Sequence, residues 1–197
     1  MRRLTLLSGL ALALLAACSR GLPPVDPSLQ THMENPLFAQ AYYSDLVDHF
    51  VNLQIHNDPI FANAATKRQI DAARTDALKK AQAASRLVSS GSLASFAPIQ
   101  EESKGNALAL GSMLYFGTDF YTVPGGDLRV YVSNAVDPRG APFPDPTAVE
   151  VGKLKNPYGP QSYSLPAGRD AKEHPNQTVV LWDAMLKRMH GFAQLRS

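Results

Sequence analysis

Chemistry in this chain would have to come from a short set of residues. Cys18 is the single cysteine among 197 residues, so an intramolecular disulfide and a cysteine zinc site are both excluded. Asp45, His49 and His56 fall on one side of a predicted helix, because steps of four and seven residues return to the same face. Their spacing fixes no third strong ligand, so they read as polar helix positions rather than a metal site. Met185, Met189 and His190 are the residues that could ligate a haem iron. On a regular strand Met189 and His190 would point to opposite faces, so core methionines and a strand-end histidine are expected. Trp182 and Asp183 close an apolar run and form the candidate ligand-binding pair. Asp183 has two readings. Buried beside Trp182, it needs hydrogen bonds and would mark a ligand site. At the end of its strand it is a solvated turn acid, and this second state is the one expected. No GxSxG, P-loop or HExxH pattern occurs, and Gly125-Gly126 reads as a turn, not a phosphate cradle. No catalytic constellation is recognisable, no metal site is predicted, and the sequence points to a non-enzymatic protein.

The N-terminus supplies an address instead. Residues 1–17 carry Arg2 and Arg3, then an apolar stretch from Leu4 to Ala17 interrupted by Thr5 and Ser8. That stretch falls short of the roughly 20 residues a membrane-spanning helix needs and suits the apolar region of an export signal. Leu15-Ala16-Ala17-Cys18 resembles the bacterial lipobox. The resemblance implies cleavage before Cys18 and attachment of fatty acyl chains such as palmitate to that residue. Two or more chains, at about 0.8 kcal/mol per buried CH₂, hold a protein stably on a bilayer. Ser19 follows where an Asp would retain a lipoprotein at the inner membrane, so the expected location is the outer membrane, facing the periplasm. Residues 18–36, with Pro23, Pro24, Pro27 and Pro36, read as an extended tether. Removing Arg2 and Arg3 from the 19 basic residues leaves 17 against 17 acids. A neutral mature chain lacks the surplus charge that displaces phosphate counterions, which argues against nucleic acid as a partner. The predicted partners are the bilayer and another envelope protein. Asn176-Gln177-Thr178 is a glycosylation sequon in pattern only, since a lipobox points to a bacterium.

Residues 37–90 read as a helical hairpin. Apolar residues from Leu37 to Leu53 recur at helical steps, with Asn35 placed as N-cap and Pro36 at the first helical position. Asn57-Asp58-Pro59 interrupts, and an alanine-rich helical pattern runs from about Ala62 to Val88 before Ser89-Ser90-Gly91. Residues 34–58 hold four acids and no Lys or Arg, whereas residues 62–89 hold six basic residues and two acids. The expectation is an antiparallel pair whose facing sides attract, with small alanines permitting close approach. A basic helix facing anionic lipid is the alternative.

Residues 91–197 read as an all-β sandwich or barrel-like domain, so the fold class is α+β. Short β-rich runs cover Ala107–Phe116, Leu128–Ser133, Ala148–Val151, Ser162–Leu165, Thr178–Trp182 and His190–Leu195, separated by Gly- and Pro-rich turns. In Leu128–Ser133 the alternation places Arg129 and Tyr131 on the face away from the core. Val179-Val180-Leu181-Trp182 is apolar on both faces and should be a central strand, with the helical hairpin covering one side. The pieces Gly126–Ser133, Val151–Lys155, Gly159–Pro166, Val179–Trp182 and Gly191–Leu195, in that order, resemble the electron-transfer DM-13 domain family. The resemblance implies an all-β fold at the cell surface. It also implies a proposed redox role through a near-universal cysteine after the Val-Val-x-Trp strand, as a thiol or as a ligand to a prosthetic group. Asp183 occupies that position here. An aspartate cannot cycle between thiol and disulfide, so the expected role is a binding module without a cofactor; the rival is an electron-transfer component holding haem or another prosthetic group. If Cys18 carries the lipid, Cys18→Ser should move the protein from the membrane to the soluble fraction, and the mature wild-type N-terminal peptide should show added acyl mass.

Overall fold

The structure is a computed structural model that describes residues 29–140, 142–174 and 177–196. The export signal with Arg2 and Arg3, the lipidation residue Cys18, Pro23, Pro24 and Pro27 of the tether, and Asn176 of the sequon lie outside the described residues. Among those described, no helix is long and apolar enough to cross a membrane.

The described end of the predicted tether is not extended. It forms a one-turn helix, α1 (Leu29–His32), and then Asn35, only 6% exposed, starts α2 (Pro36–Ile55). Asn35 is the N-cap the sequence called for: its Oδ1 accepts from the amides of Leu37 at 3.0 Å and Phe38 at 3.4 Å. Its Nδ2 does a second job, donating to the carbonyl of Phe116 at 2.8 Å and so fixing the helix start to the β-domain. After α2, Asp58 caps a 3-10 turn (Pro59–Ala62), and Asn63 caps α3 (Ala64–Ser89) through the amides of Ala65 and Thr66. The helices run antiparallel, for Arg74 meets Gln54 near the turn while Lys80 stands over the Tyr43 ring farther along. Ala77, Ala84 and Val88 of α3 are buried, as small residues at a close helix contact should be.

The expected attraction between oppositely charged faces is not what joins the helices. The ion pairs Lys67–Asp71, Arg74–Asp71 and Lys80–Asp76 all lie within α3. Asp45 and Asp48 are exposed, and among the described residues no ion pair links α2 to α3. Apolar and alanine contacts occupy the interface, leaving the acids of α2 in water.

The β-domain holds two antiparallel sheets. One contains β1 (Ser92–Ser95), β4 (Asn106–Leu110), β5 (Met113–Phe116) and β9 (Gln161–Ser164), in the order β1-β4-β5-β9. The other contains β2 (Ala97–Pro98), β7 (Leu128–Ser133), β8 (Val149–Lys153), β10 (Thr178–Asp183) and β11 (Arg188–Gln194), in the order β2-β11-β10-β7-β8. A short ribbon of β3 (Ser103–Lys104) and β6 (Tyr121–Thr122) stands apart from both. A bridge between Leu93 and Arg196 joins the sheets along one side. The single run expected over Ala107–Phe116 is a hairpin: Gly111, at φ +57°, and Ser112 turn the chain between Leu110 and Met113. Between the sheets Ala107, Leu114, Phe116, Val130, Val132, Val179 and Leu181 form the core.

The strand β10 is central, as its doubly apolar sequence predicted. The hairpin does not cover its second face. Both helices lie against β1, β4 and β5 of the other sheet. That face of β10 is closed by the proline-rich segment 137–146, where Phe143 sits 5.4 Å from Tyr131 and 5.3 Å from Trp182. From the same segment Arg139 stacks over Phe192 at 5.5 Å. Asn35→Ala should remove the helix cap and the tie to Phe116 together, lowering stability by about 2 kcal/mol in denaturant unfolding.

Candidate functional site

The site grows from the end of β10. Five apolar or uncharged residues of that strand lead to Asp183, whose side chain is fully buried. A carboxylate there must be hydrogen-bonded. Its Oδ1 accepts from the amides of Met185 at 2.9 Å and Leu186 at 3.0 Å, closing the turn into β11. Its Oδ2 accepts from the amide of Gly126 at 2.8 Å, 57 residues back in the chain. The backbone supports the same join, since the Ala184 amide donates to the Asp127 carbonyl at 2.9 Å. Two glycines permit the approach. A Cβ at Gly125 would lie 2.4 Å from Asp183 Oδ2, and one at Gly126 would lie 1.9 Å from Met185 Cε. Gly125-Gly126 is thus a turn, as its sequence suggested, but what demands glycine at 125 is the carboxylate pressed against it.

Burial works to raise the Asp183 pKa, yet the amides of Leu186, Gly126, Met185 and Asp127 outweigh it and hold the carboxyl below its ordinary value of 3.8. The solvated turn acid expected from sequence is therefore corrected. Asp183 does belong to a turn, but it is sealed from water because the Gly125-Gly126 segment closes over it.

Trp182 and Asp183 do not converge on one cavity. Trp182 is half-buried on the outer face against Phe143 and lies opposite Arg129 of β7. Arg129 in turn binds Asp127 and Glu150, each at distances down to 2.8 and 2.9 Å, while the Tyr131 hydroxyl donates to Glu150 at 3.1 Å and Lys153 pairs with Asp127 at 3.3 Å. A groove of about 260 Å³ runs beside this network, from Pro124 to Leu128 and across to Lys153 and Pro157. The Gly126 amide bond to Asp183 fixes one wall of it. A larger cavity of about 600 Å³ lies elsewhere, between Thr31–Asn35 and the loop around Tyr158.

His190 is placed by an irregularity the sequence did not announce. Leu181 pairs with Gly191 and Trp182 pairs with Met189, so His190 is the extra residue of a bulge in β11. Strict alternation fails there, and Met189 and His190 are both buried, at 6% and 1% exposure. His190 Nδ1 lies 3.3 Å from Thr122 Oγ1, which lies 3.1 Å from Ser103 Oγ, while Nε2 has no hydrogen-bond partner. Burial lowers the His190 pKa below its ordinary 6.5, although Glu101 and Asp183 pull it upward. Met185, by contrast, is 63% exposed at the tip of the β10–β11 turn. Among the described residues no three His, Cys, Asp or Glu side chains gather as a metal site would require, and Asp45, His49 and His56 remain separate exposed positions on α2.

A family model described as Electron transfer DM13 matches residues 95–195, half of the chain. The chain belongs to the DM13 family. No curated protein and no solved structure matches it. The match spans all of β2 to β11 and leaves the helical hairpin outside. The resemblance would place the family's cysteine where this chain has Asp183, and the residues around that position do not fit a redox group there. The carboxylate oxygens already accept from three backbone amides, His190 is sealed beneath the β3–β6 ribbon, and the adjacent groove is smaller than the 300–1,000 Å³ typical of cofactor sites.

Asp183→Ala should lower stability by about 1–3 kcal/mol, because it leaves three part-buried N–H groups without their acceptor. The acid limb carries a second expectation. A carboxyl with a depressed folded pKa stabilises fully above its unfolded value and loses that contribution as pH falls below about 3.8 towards the folded value. Thermal melts from pH 5 downward should fall more steeply in the wild type than in Asp183→Asn.

Proposed function

We propose that this DM13 protein is a lipid-anchored envelope lipoprotein whose β-domain is a binding module, with the family's redox position converted to structural use. The observation that carries the reading is the complete engagement of Asp183 by the amides of Gly126, Met185 and Leu186. A buried anion used in this way shapes a loop; it offers no thiol, and burial keeps its oxygens from an electron carrier. The neighbouring groove, with Asp127 and Lys153 lining it and the Arg129–Glu150 pair beside it, is the surface such a module would present. Its polar, mutually paired charges suit a protein partner of the envelope, since paired rim charges give specificity and orientation. Cys18 with its lipobox-like context supports attachment to the outer membrane, with the β-domain in the periplasm.

Protein extracted from native membranes and purified without reductant tests the reading. It should show no visible absorption band, and chemical cross-linking should yield one envelope partner at fixed stoichiometry. A Soret, flavin or iron–sulfur absorption at one group per chain would replace this reading with the electron-transfer alternative.

A further inference from the structure

We propose that the β3–β6 ribbon is an acid-sensitive latch, released from β11 when His190 becomes charged. The ribbon is short: Ser103↔Thr122 and Lys104↔Tyr121 pair within it, the Val123 amide donates to the Glu102 carbonyl, and Tyr121 bridges to Tyr158. It is nevertheless pressed hard onto β11: a Cβ at Gly191 would come within 2.7 Å of Ser103 Cβ and 2.9 Å of Ser103 Oγ. The contact is polar at its centre, a chain of hydroxyls from Ser103 through Thr122 to His190 Nδ1. A neutral imidazole is compatible with that chain. A charged one places a proton on Nε2, which has no acceptor and no water-facing surface. Small, weakly paired elements open locally at low cost, so the response falls on the ribbon rather than on the core.

The charges facing His190 come from each element packed on it. Glu101 precedes β3 and is held by Arg188 at 2.8 Å; Asp183 ends β10; Arg188 lies on β11 itself. Lys104 of the ribbon stands over Tyr121 and pairs with Glu102. Glu101, Asp183 and the Val123 backbone favour the charged ring, but burial and Arg188 prevail and lower its pKa in the closed state. The open state, with an ordinary imidazole, binds the proton more readily. Opening therefore increases as pH falls below about 6.5, at a slope that cannot exceed about tenfold per pH unit, and levels off once the closed-state ring is also charged. Release matters because Thr122 leads directly into Val123 and Pro124, at the wall of the groove.

Amide hydrogen exchange on the full-length chain, corrected for intrinsic rates, tests this between about pH 7.5 and about 5. Protection of the Thr122 and Val123 amides, which donate to Pro157 and Glu102, should fall as pH drops below about 6.5, by no more than about tenfold per unit, while Val179 and Leu181 keep theirs. His190→Asn should abolish that slope. Unchanged protection at Thr122 and Val123, or the same slope in His190→Asn, would overturn the latch. Ring titration of His190 by NMR in the wild type needs no variant: a midpoint below pH 6.5, at the pH where the amide protection levels off, supports the proposal, and any other midpoint overturns it.

Discussion

Three backbone amides converging on the Asp183 carboxylate pin the β10–β11 turn and the loop before β7 at one end of the β7–β10 pair. The anion closes the β10–β11 turn with one oxygen and captures the loop before β7 with the other. Because the carboxylate is fully buried, removing it would leave three part-buried donors without their acceptor. The constraint extends outward. Gly125 must lack a side chain to admit Oδ2, and the groove inherits part of its wall from that segment, whereas the exposed Met185 that lies over Gly126 is free to swing aside. Asp183 is thus a structural anchor.

Asn35 plays the corresponding part for the helical half. One amide group starts α2 and reaches Phe116 in β5, so the hairpin is attached to the smaller sheet at its first turn. The hairpin therefore backs β1, β4 and β5 and leaves the outer face of β10 to the segment carrying Phe143 and Arg139. Arg139, Phe143 and the Arg129 network all lie on that side, well away from the helices.

Local signals in the sequence were enough for the pieces whose cause is local. Asn35-Pro36 marks a helix start by its own chemistry, and Val179–Trp182 reads as a central strand because both of its faces are apolar. The family resemblance was also legible, since its motifs follow one another in order along residues 95–195. What was hidden is long-range or subtractive. The amide that buries Asp183 lies 57 residues away, so nothing near the acid distinguishes it from a solvated turn residue. The bulge at His190 adds one residue to β11 without any change in composition. Gly111-Ser112 looked like a pause in one strand because the residues on both sides are equally apolar. The facing-charge picture of the hairpin failed for a related reason: net charge per helix says nothing of which face carries it.

The glycine pair beside Asp183 sets a direction on how this sequence can change. A cysteine placed at 183 would withdraw an anion from three donors, while a side chain gained at Gly125 would collide with the oxygen that accepts from one of them. Acid and glycine are therefore contingent on each other: either can be exchanged only with a rebuilding of the loop they share.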